Sequence, residues 1–476
     1  MTDARLFIDG EWVSPKLGGT FPTIDPSTEE PIAAVARGTT EDVDRAVAAA
    51  ARAMSGPWAT LSPAERGRLM FDLADRILGE REALALVETR DVGKPLAGSR
   101  EDIDGVVATL RYNAGAADKM QGETIPLGPA VVDFTLLEPL GVTAHIVPWN
   151  YPLGMAIRSM APALAAGCSV VLKPAEQSPL SALRLAELCD DAGFPPGVVN
   201  VVTGFGEEAG AALARHLDVR GISFTGSVET GRRIMMAAAA TTKPVVLELG
   251  GKNAMIVFAD ADLDRAVADA VLGGFDNAGQ VCSSASRILV QRGCLDAFVD
   301  RFVARATSLT VGPGMASPDL GPLVSAEQYE RVAGCIARGI AEGARLRCGG
   351  GRPRDLPRGY FIEPTIFDRV TPDMGIAREE IFGPVASVIA FEATDEAIAI
   401  ANGVGYGLVA GVHTRDISRA LVCARRLETG SVWINGWYMG GVQAPTGGIK
   451  DSGIGRERGL AGIRNYLQIK NIAIRL

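Results

Sequence analysis

The stretch VTAHIVPWNYPLGMAIRSMAPALAAGCSVVLKP, residues 142–174, decides the fold. VTAHIV (142–147) has strand length and β-branched content, and the PWN that follows turns the chain. Pro152 suits a first helical turn, so a helix is expected over 152–166, ahead of a second strand in CSVVL (168–172). Strand, helix and strand in so short a span make a crossover unit with parallel strands. The pattern repeats outward: helix 179–193, strand 198–202, helical GEEAGAALARH (206–216), strand ISF (222–224), helix 228–240 and strand PVVLEL (244–249). The expected class is α/β with a doubly wound parallel sheet.

A second α/β segment opens near Gly250. NAMIVF (253–258) reads as a strand, and Asp262 caps a helix whose apolar residues Leu263, Ala266, Val267, Ala270 and Val271 fall at helical spacing. That helix delivers the chain to Cys282. Residues 1–117 carry helices such as EDVDRAVAAAARAM (41–54) and are expected to pack on the first sheet. VVDFTLLEP (131–139) and IAIRL (472–476) read as isolated extended segments that need a partner edge, which makes them candidates for a small sheet joining subunits.

The totals exclude several classes. The 476 residues suit two or three domains, and 47% hydrophobic content is enough for large cores. A net charge of −9 and a pI near 5.2 argue against a nucleic-acid surface. The seven cysteines are odd in number and include no C-x-x-C pair, which fits neither a disulfide framework nor a zinc site and suits a reducing compartment. The sequence MTDARLFIDGEW is charged and lacks the apolar run of a signal peptide; the uncharged runs 139–157 and 429–449 are interrupted by prolines, asparagines and glycines. A cytoplasmic protein is expected, with no membrane or nucleic-acid partner and no metal.

Cys282, in GQVCSSASR (279–287), has only small neighbours, as a thiol that must be reached would. A nucleophile needs a base and donors for an oxyanion. The three histidines, His145, His216 and His413, lie in ordinary strand or helix contexts, so a carboxylate base is the better place to look. Glu248 ends a strand at the carboxyl edge of the sheet, where sites form, although a solvated glutamate would look the same. Asn150 could aim its amide at an oxyanion or simply cap the next helix. Lys173 and Glu176 sit at a βα turn where they could bond a ribose or merely face water. Thr225-Gly226-Ser227 opens a helix whose amides can take a phosphate. Gly204, Gly206 and Gly210 have the wrong spacing for a dinucleotide fingerprint.

Taken together these stretches resemble the NAD(P)-dependent aldehyde dehydrogenase superfamily over nearly the whole chain. The carriers are PWNYPL (148–153), KPAE (173–176), FTGS (224–227), LELGGK (247–252), GQVC (279–282), EEIFGPV (379–385) and GGIKDSGIGRERG (447–459), all in order. The resemblance implies a Rossmann-like cofactor domain (1–117 and 138–249), a catalytic domain (250–452) and oligomerisation segments (118–137 and 453–476) of a homodimer or homotetramer. It implies that Cys282, part-exposed and thiolate-prone, attacks the aldehyde, that Asn150 and the Cys282 N–H hold the oxyanion, and that Glu248 activates water on the resulting thioester. NAD is the implied cofactor, contacted by Val147, Pro148, Trp149, Lys173, Glu176, Gly206, Phe224, Gly226, Ser227, Leu249, Glu380 and Phe382.

The chain departs from commoner members along the substrate tunnel, to which Tyr151, Gly154, Met155, Arg158, Asp276 and Thr446 are assigned. Gly154 stands where many have a bulky aliphatic residue, Thr446 where many have Phe, Arg158 where Trp is frequent, and Asp276 where an aromatic is frequent. Arg158 is expected to pair with Asp276, leaving a wide tunnel for a neutral bulky or aromatic aldehyde. The alternatives are a semialdehyde dehydrogenase that uses Arg158 for a substrate carboxylate, a CoA-acylating relative, which would not need Glu248, and a catalytically silent relative.

Overall fold

The computed structural model describes residues 5–476; Met1–Ala4, the first residues of the segment read as signal-free, lie outside the described residues. Its first sheet has eight strands in the order Glu11–Val13, Leu6–Ile8, Val199–Val201, Ser169–Lys173, Val142–Ile146, Gly221–Thr225, Val245–Glu248, Gly453–Ile454. The five strands from Val199–Val201 to Val245–Glu248 are parallel, and the outer ones antiparallel. Val142–Ile146 sits between the strand that follows it and one much later in the chain, so the order of the sheet reverses there. A crevice opens at the carboxyl ends of strands on either side of such a reversal. Asn150, Ser227 and Glu248 all lie at these ends, which is why residues distant in sequence meet.

The second sheet has seven strands, in the order Arg345–Cys348, Thr365–Asp368, Val385–Phe391, Arg287–Gln291, Ala254–Val257, Val409–His413, Ser431–Ile434, parallel except at the first pair. Helix Leu263–Phe275, capped by the Asp262 carboxylate accepting from Arg265 N, buries Ala266, Val267 and Ala270 against it as the spacing demands. The two extended segments find each other: Leu467–Arg475 pairs antiparallel with Val131–Pro139 along nine residues, and Thr124–Ile125 adds a third strand. Leu467–Arg475 is an edge of that sheet, with Ile469 and Ile474 exposed.

The N-terminal segment packs helices on the first sheet and also contributes the hairpin Leu6–Ile8/Glu11–Val13 to it. These three-residue strands are too short to show a period of two. Within the segment expected to serve oligomerisation, Gly453–Ile454 pairs with the Val245–Glu248 edge and Gly459–Arg464 packs on helix Pro152–Ala166. The C-terminal segment thus closes over the end of the strand that carries Glu248.

Candidate active site

Cys282 lies in a turn built by three successive left-handed residues, Asn277 (φ 47°), Ala278 (φ 54°) and Gly279 (φ 71°). For Asn277 and Ala278 this backbone is strained, and strain of that kind persists only where the surroundings hold it. Buried Gln280 holds it here, donating to Asn277 O and accepting from Val324 N at 2.9 Å. A Cβ on Gly279 would lie 2.1 Å from Gly383 O, so glycine is required on two counts. Asn253 clamps the far side, with Nδ2 donating to both Cys282 O and Ser284 O at 2.8 Å.

Asn150 is locked onto the same turn. Its Nδ2 donates to Gln280 O at 2.8 Å, and its backbone carbonyl accepts from Asn277 Nδ2 at 3.1 Å. An amide nitrogen carries two N–H bonds. One fixes the side-chain plane, and the second has no acceptor among the described residues.

Two cavities meet at this point. The first, about 260 Å³, is bounded by Pro148, Trp149, Asn150, Met155, Gly226, Ser227, Glu248, Leu249, Cys282, Glu380 and Phe382. The second, about 430 Å³, is bounded by Tyr151, Gly154, Met155, Arg158, Glu248, Asp276, Cys282, Thr446 and an aromatic wall of Trp433 and Tyr438. Glu248 and Cys282 border both. None of the three histidines borders either. Burial keeps His145 neutral, pushing it down to about 3.

The first cavity suits a dinucleotide. Ser227 caps the twelve-residue helix Val228–Ala239, Gly226 has the Phe224 ring beneath it where a Cβ would clash, and Glu380 accepts from Gly251 N at 2.9 Å. Phe382 is held at φ 59° with its ring edge-on to Trp149, centroids 5.3 Å apart. Lys173 and Glu176 pair at 2.9 Å at the end of strand Ser169–Lys173, beside Val147, whose N–H donates to Lys173 O. Lys173, Glu176, Val147, Phe224 and Gly206 stand outside the cavity wall. Gly206 starts a π-helical turn, Gly206–Gly210, whose Glu208 pairs with Arg37.

The electrostatics overturn two readings. The expected Arg158–Asp276 pair does not form. Asp276 accepts from Tyr151 OH at 2.9 Å, while Arg158 pairs with Glu248 at 3.3 Å and, through Nε, with Glu457. The helix aims Arg158 between the end of strand Val245–Glu248 and the C-terminal segment, whose buried carboxylates Glu248 and Glu457 compete for it. Nor is Cys282 thiolate-prone at rest: although part-exposed, its desolvated setting pushes the thiol up to about 11, against the pull of Arg158. Burial, reinforced by Glu457, raises the Glu248 carboxyl well above its usual range, with Arg158, Arg456 and Arg458 opposing. Glu248 Oε1 has no hydrogen-bond partner.

Sequence reasoning missed three contributors. Lys94 pairs with Asp102 at 2.6 Å and sits over the Tyr151 ring at 3.8 Å, Arg458 borders the tunnel, and Gln280 braces the turn. Only the last two carry a local signal, by falling inside GGIKDSGIGRERG and GQVC.

Comparison with known proteins agrees with the geometry. The aldehyde dehydrogenase family model matches residues 12–472. The chain belongs to that family. It is 48% identical to a hydroxyisobutyraldehyde dehydrogenase of Mycolicibacterium austroafricanum over 100% of this chain and 94% of that one. It is 46% identical to human aldehyde dehydrogenase 1A1 over 99% and 95%. The structure of a Bacillus cereus aldehyde dehydrogenase in complex with NAD+ superposes with a TM-score of 0.98, at 46% identity, covering 100% of this chain and 97% of that one. As an aldehyde dehydrogenase, the protein is an oxidoreductase that oxidises aldehydes with NAD as cofactor. Among the described residues, no helix is long and apolar enough to cross a membrane.

Proposed function

We propose that Cys282, Glu248 and Asn150 convert an aldehyde to its carboxylic acid through a cysteine-bound thioester. The observation that carries this is the position of Cys282 and Glu248 where the two cavities meet. Glu248, its carboxyl raised toward neutrality, takes the Cys282 proton. The sulfur attacks the aldehyde carbon to give a thiohemiacetal, whose oxyanion receives the free Asn150 N–H and the Cys282 backbone N–H. Such donors contribute roughly 3–4 kcal/mol each. NAD, when bound, supplies the hydride acceptor. Glu248 passes the thiol proton to solvent and, as the carboxylate again, deprotonates the water that cleaves the thioester and frees the Cys282 sulfur. The part-exposed sulfur, reachable from both sides, supports active chemistry over a silent relative, and Glu248 beside it supports hydrolysis over transfer to CoA. NADH formation from a panel of aldehydes, with and without CoA, tests both; product release that depends on CoA overturns hydrolysis.

Lys173 and Glu176 are assigned to the adenosine ribose, Gly226 and Ser227 to the pyrophosphate, and Glu380 and Phe382 to the nicotinamide ribose and ring, with Val147, Pro148, Trp149 and Leu249 along the wall. Gly206 belongs to the same proposed set, from beyond the wall. Glu176 favours NAD, because the 2′-phosphate of NADP meets its carboxylate as a like charge. NAD is expected to give the higher kcat/KM, and Glu176→Ser to narrow the gap; equal efficiency with NADP in the wild type overturns the assignment.

The tunnel is assigned to neutral bulky or aromatic aldehydes. Gly154 leaves space where an added Cβ would meet only Tyr151 Cβ at 3.6 Å. Trp433, Tyr438 and Tyr151 offer flat apolar faces, and two glutamates neutralise Arg158. Benzaldehyde-type substrates are expected to exceed succinic semialdehyde in kcat/KM. A tenfold preference for the semialdehyde, about 1.4 kcal/mol, would show Arg158 free to bind a carboxylate. A cytoplasmic location is proposed from the seven free cysteines. A homodimer or homotetramer joined at the Leu467–Arg475 edge is proposed from the exposed apolar residues there.

A further inference from the structure

We infer that Arg158 is a positioning residue for the deacylation base: it bridges Glu248 to Glu457 and so fixes the carboxylate that activates water. This rests on the reading of Glu248 given above. Arg158 is 13% exposed and enters from helix Pro152–Ala166, while Glu248 and Glu457 are 3% and 4% exposed and come from a strand end and the C-terminal segment. Glu457 is itself fixed, its backbone exchanging two hydrogen bonds with Thr446 at 2.8 and 2.7 Å. Three distant elements are therefore tied by one guanidinium, whose planar fork can serve two carboxylates where an ammonium offers a point charge.

The bridge decides where Glu248 points. Oε2 is held by Arg158 Nη2 at 3.3 Å, and Oε1 is left unpartnered beside the position where a Gly447 Cβ would sit, 2.7 Å away. One carboxylate oxygen anchors and the other is free to take a proton. A buried arginine with two buried partners has no remaining charge to offer a substrate carboxylate, and breaking such a group by removing one member leaves an uncompensated charge. In place of a carboxylate site, the geometry gives Arg158 the task of stabilising Glu248 as an anion against its like-charged neighbour.

The charged groups around Glu248 set the pH signature. Arg158 reaches it from helix Pro152–Ala166; Glu457, Arg456 and Arg458 reach it from the C-terminal segment; and Cys282 faces it across the cavity junction. Burial and Glu457 raise the carboxyl, whereas Arg158, Arg456 and Arg458 lower it. Loss of Arg158 removes a lowering influence, so Glu248 protonates at higher pH and the base form is lost sooner as pH falls. Loss of the Glu457 charge removes a raising influence and acts in the opposite sense.

The test is pre-steady-state and steady-state NADH formation across pH, with benzaldehyde, in wild type, Arg158→Met, Arg158→Lys and Glu457→Gln. Arg158→Met is expected to keep a burst of wild-type amplitude while the steady-state rate falls about tenfold or more, one pKa step corresponding to that factor. The rising limb of its steady-state profile moves to higher pH, Arg158→Lys recovers part of both effects, and Glu457→Gln moves the limb to lower pH. An unshifted limb in both Arg158 variants overturns the inference, as does a loss confined to the KM for succinic semialdehyde. Should Arg158→Met not fold, the Arg158→Lys and Glu457→Gln shifts carry the test alone. Glu248→Gln separates the two levels: steady-state turnover retained in that variant overturns the underlying reading whatever Arg158 does.

Discussion

Cys282→Ala is expected to reduce steady-state aldehyde oxidation at least about ten-thousand-fold while NAD still binds. Removing a nucleophile removes the covalent route, leaving only what binding and the oxyanion donors provide. Asn150, Gln280 and Asn253 hold the turn through backbone and amide contacts that do not involve the sulfur, so the substitution leaves the site assembled. Trp149 borders the cofactor cavity, and quenching of its fluorescence by NAD measures the retained binding. Turnover within a factor of about ten of wild type in Cys282→Ala would sink the assignment. The raised thiol adds a second expectation. A group held near 11 is thiolate in only about one molecule in ten thousand at neutral pH, so the wild-type burst rate should climb as pH rises. A burst rate flat from acid to neutral pH would contradict it.

The fold was legible because its decisive signals are local. Alternation of β-branched runs with helical spacing from 142 to 249 gave the parallel sheet, and short motifs placed Asn150, Glu248 and Cys282 at strand ends and a turn that the topology then brought together. What stayed hidden depends on tertiary neighbours. Asp276 and Arg158 both border the tunnel, but Tyr151 from the start of one helix takes Asp276, and Glu457 from the far end of the chain takes Arg158. The raised Cys282 thiol is invisible in the sequence for a related reason: small neighbours say nothing about desolvation, which is set by the elements that surround the turn. The N-terminal hairpin escaped because two three-residue strands carry no periodicity of their own. Lys94 over the Tyr151 ring has no spacing rule at all; the link between two helices meets the N-cap of a third, which only the packed structure defines.

Glu248→Gln is expected to give a burst of NADH followed by a stall, with steady-state turnover down by about 10²- to 10⁴-fold, the range for loss of a general base. The amide keeps the size of the carboxyl group and can still lie against Arg158, so the tunnel retains its shape. It cannot accept the proton of the attacking water, and the thioester on Cys282 accumulates. Acylation slows as well, since Glu248 is also the proposed acceptor of the thiol proton. It slows less at alkaline pH, where hydroxide in solution can take that proton from a group at about 11. The two steps thus separate along the pH axis: raising pH restores the burst in Glu248→Gln but not the release of acid. Denaturing the stalled enzyme and weighing it should show the acyl group on Cys282. A variant that turns over steadily, or that stalls with no added mass, would remove Glu248 from deacylation. An added mass discharged by CoA but not by water in the wild type would assign the chain to acyl transfer instead.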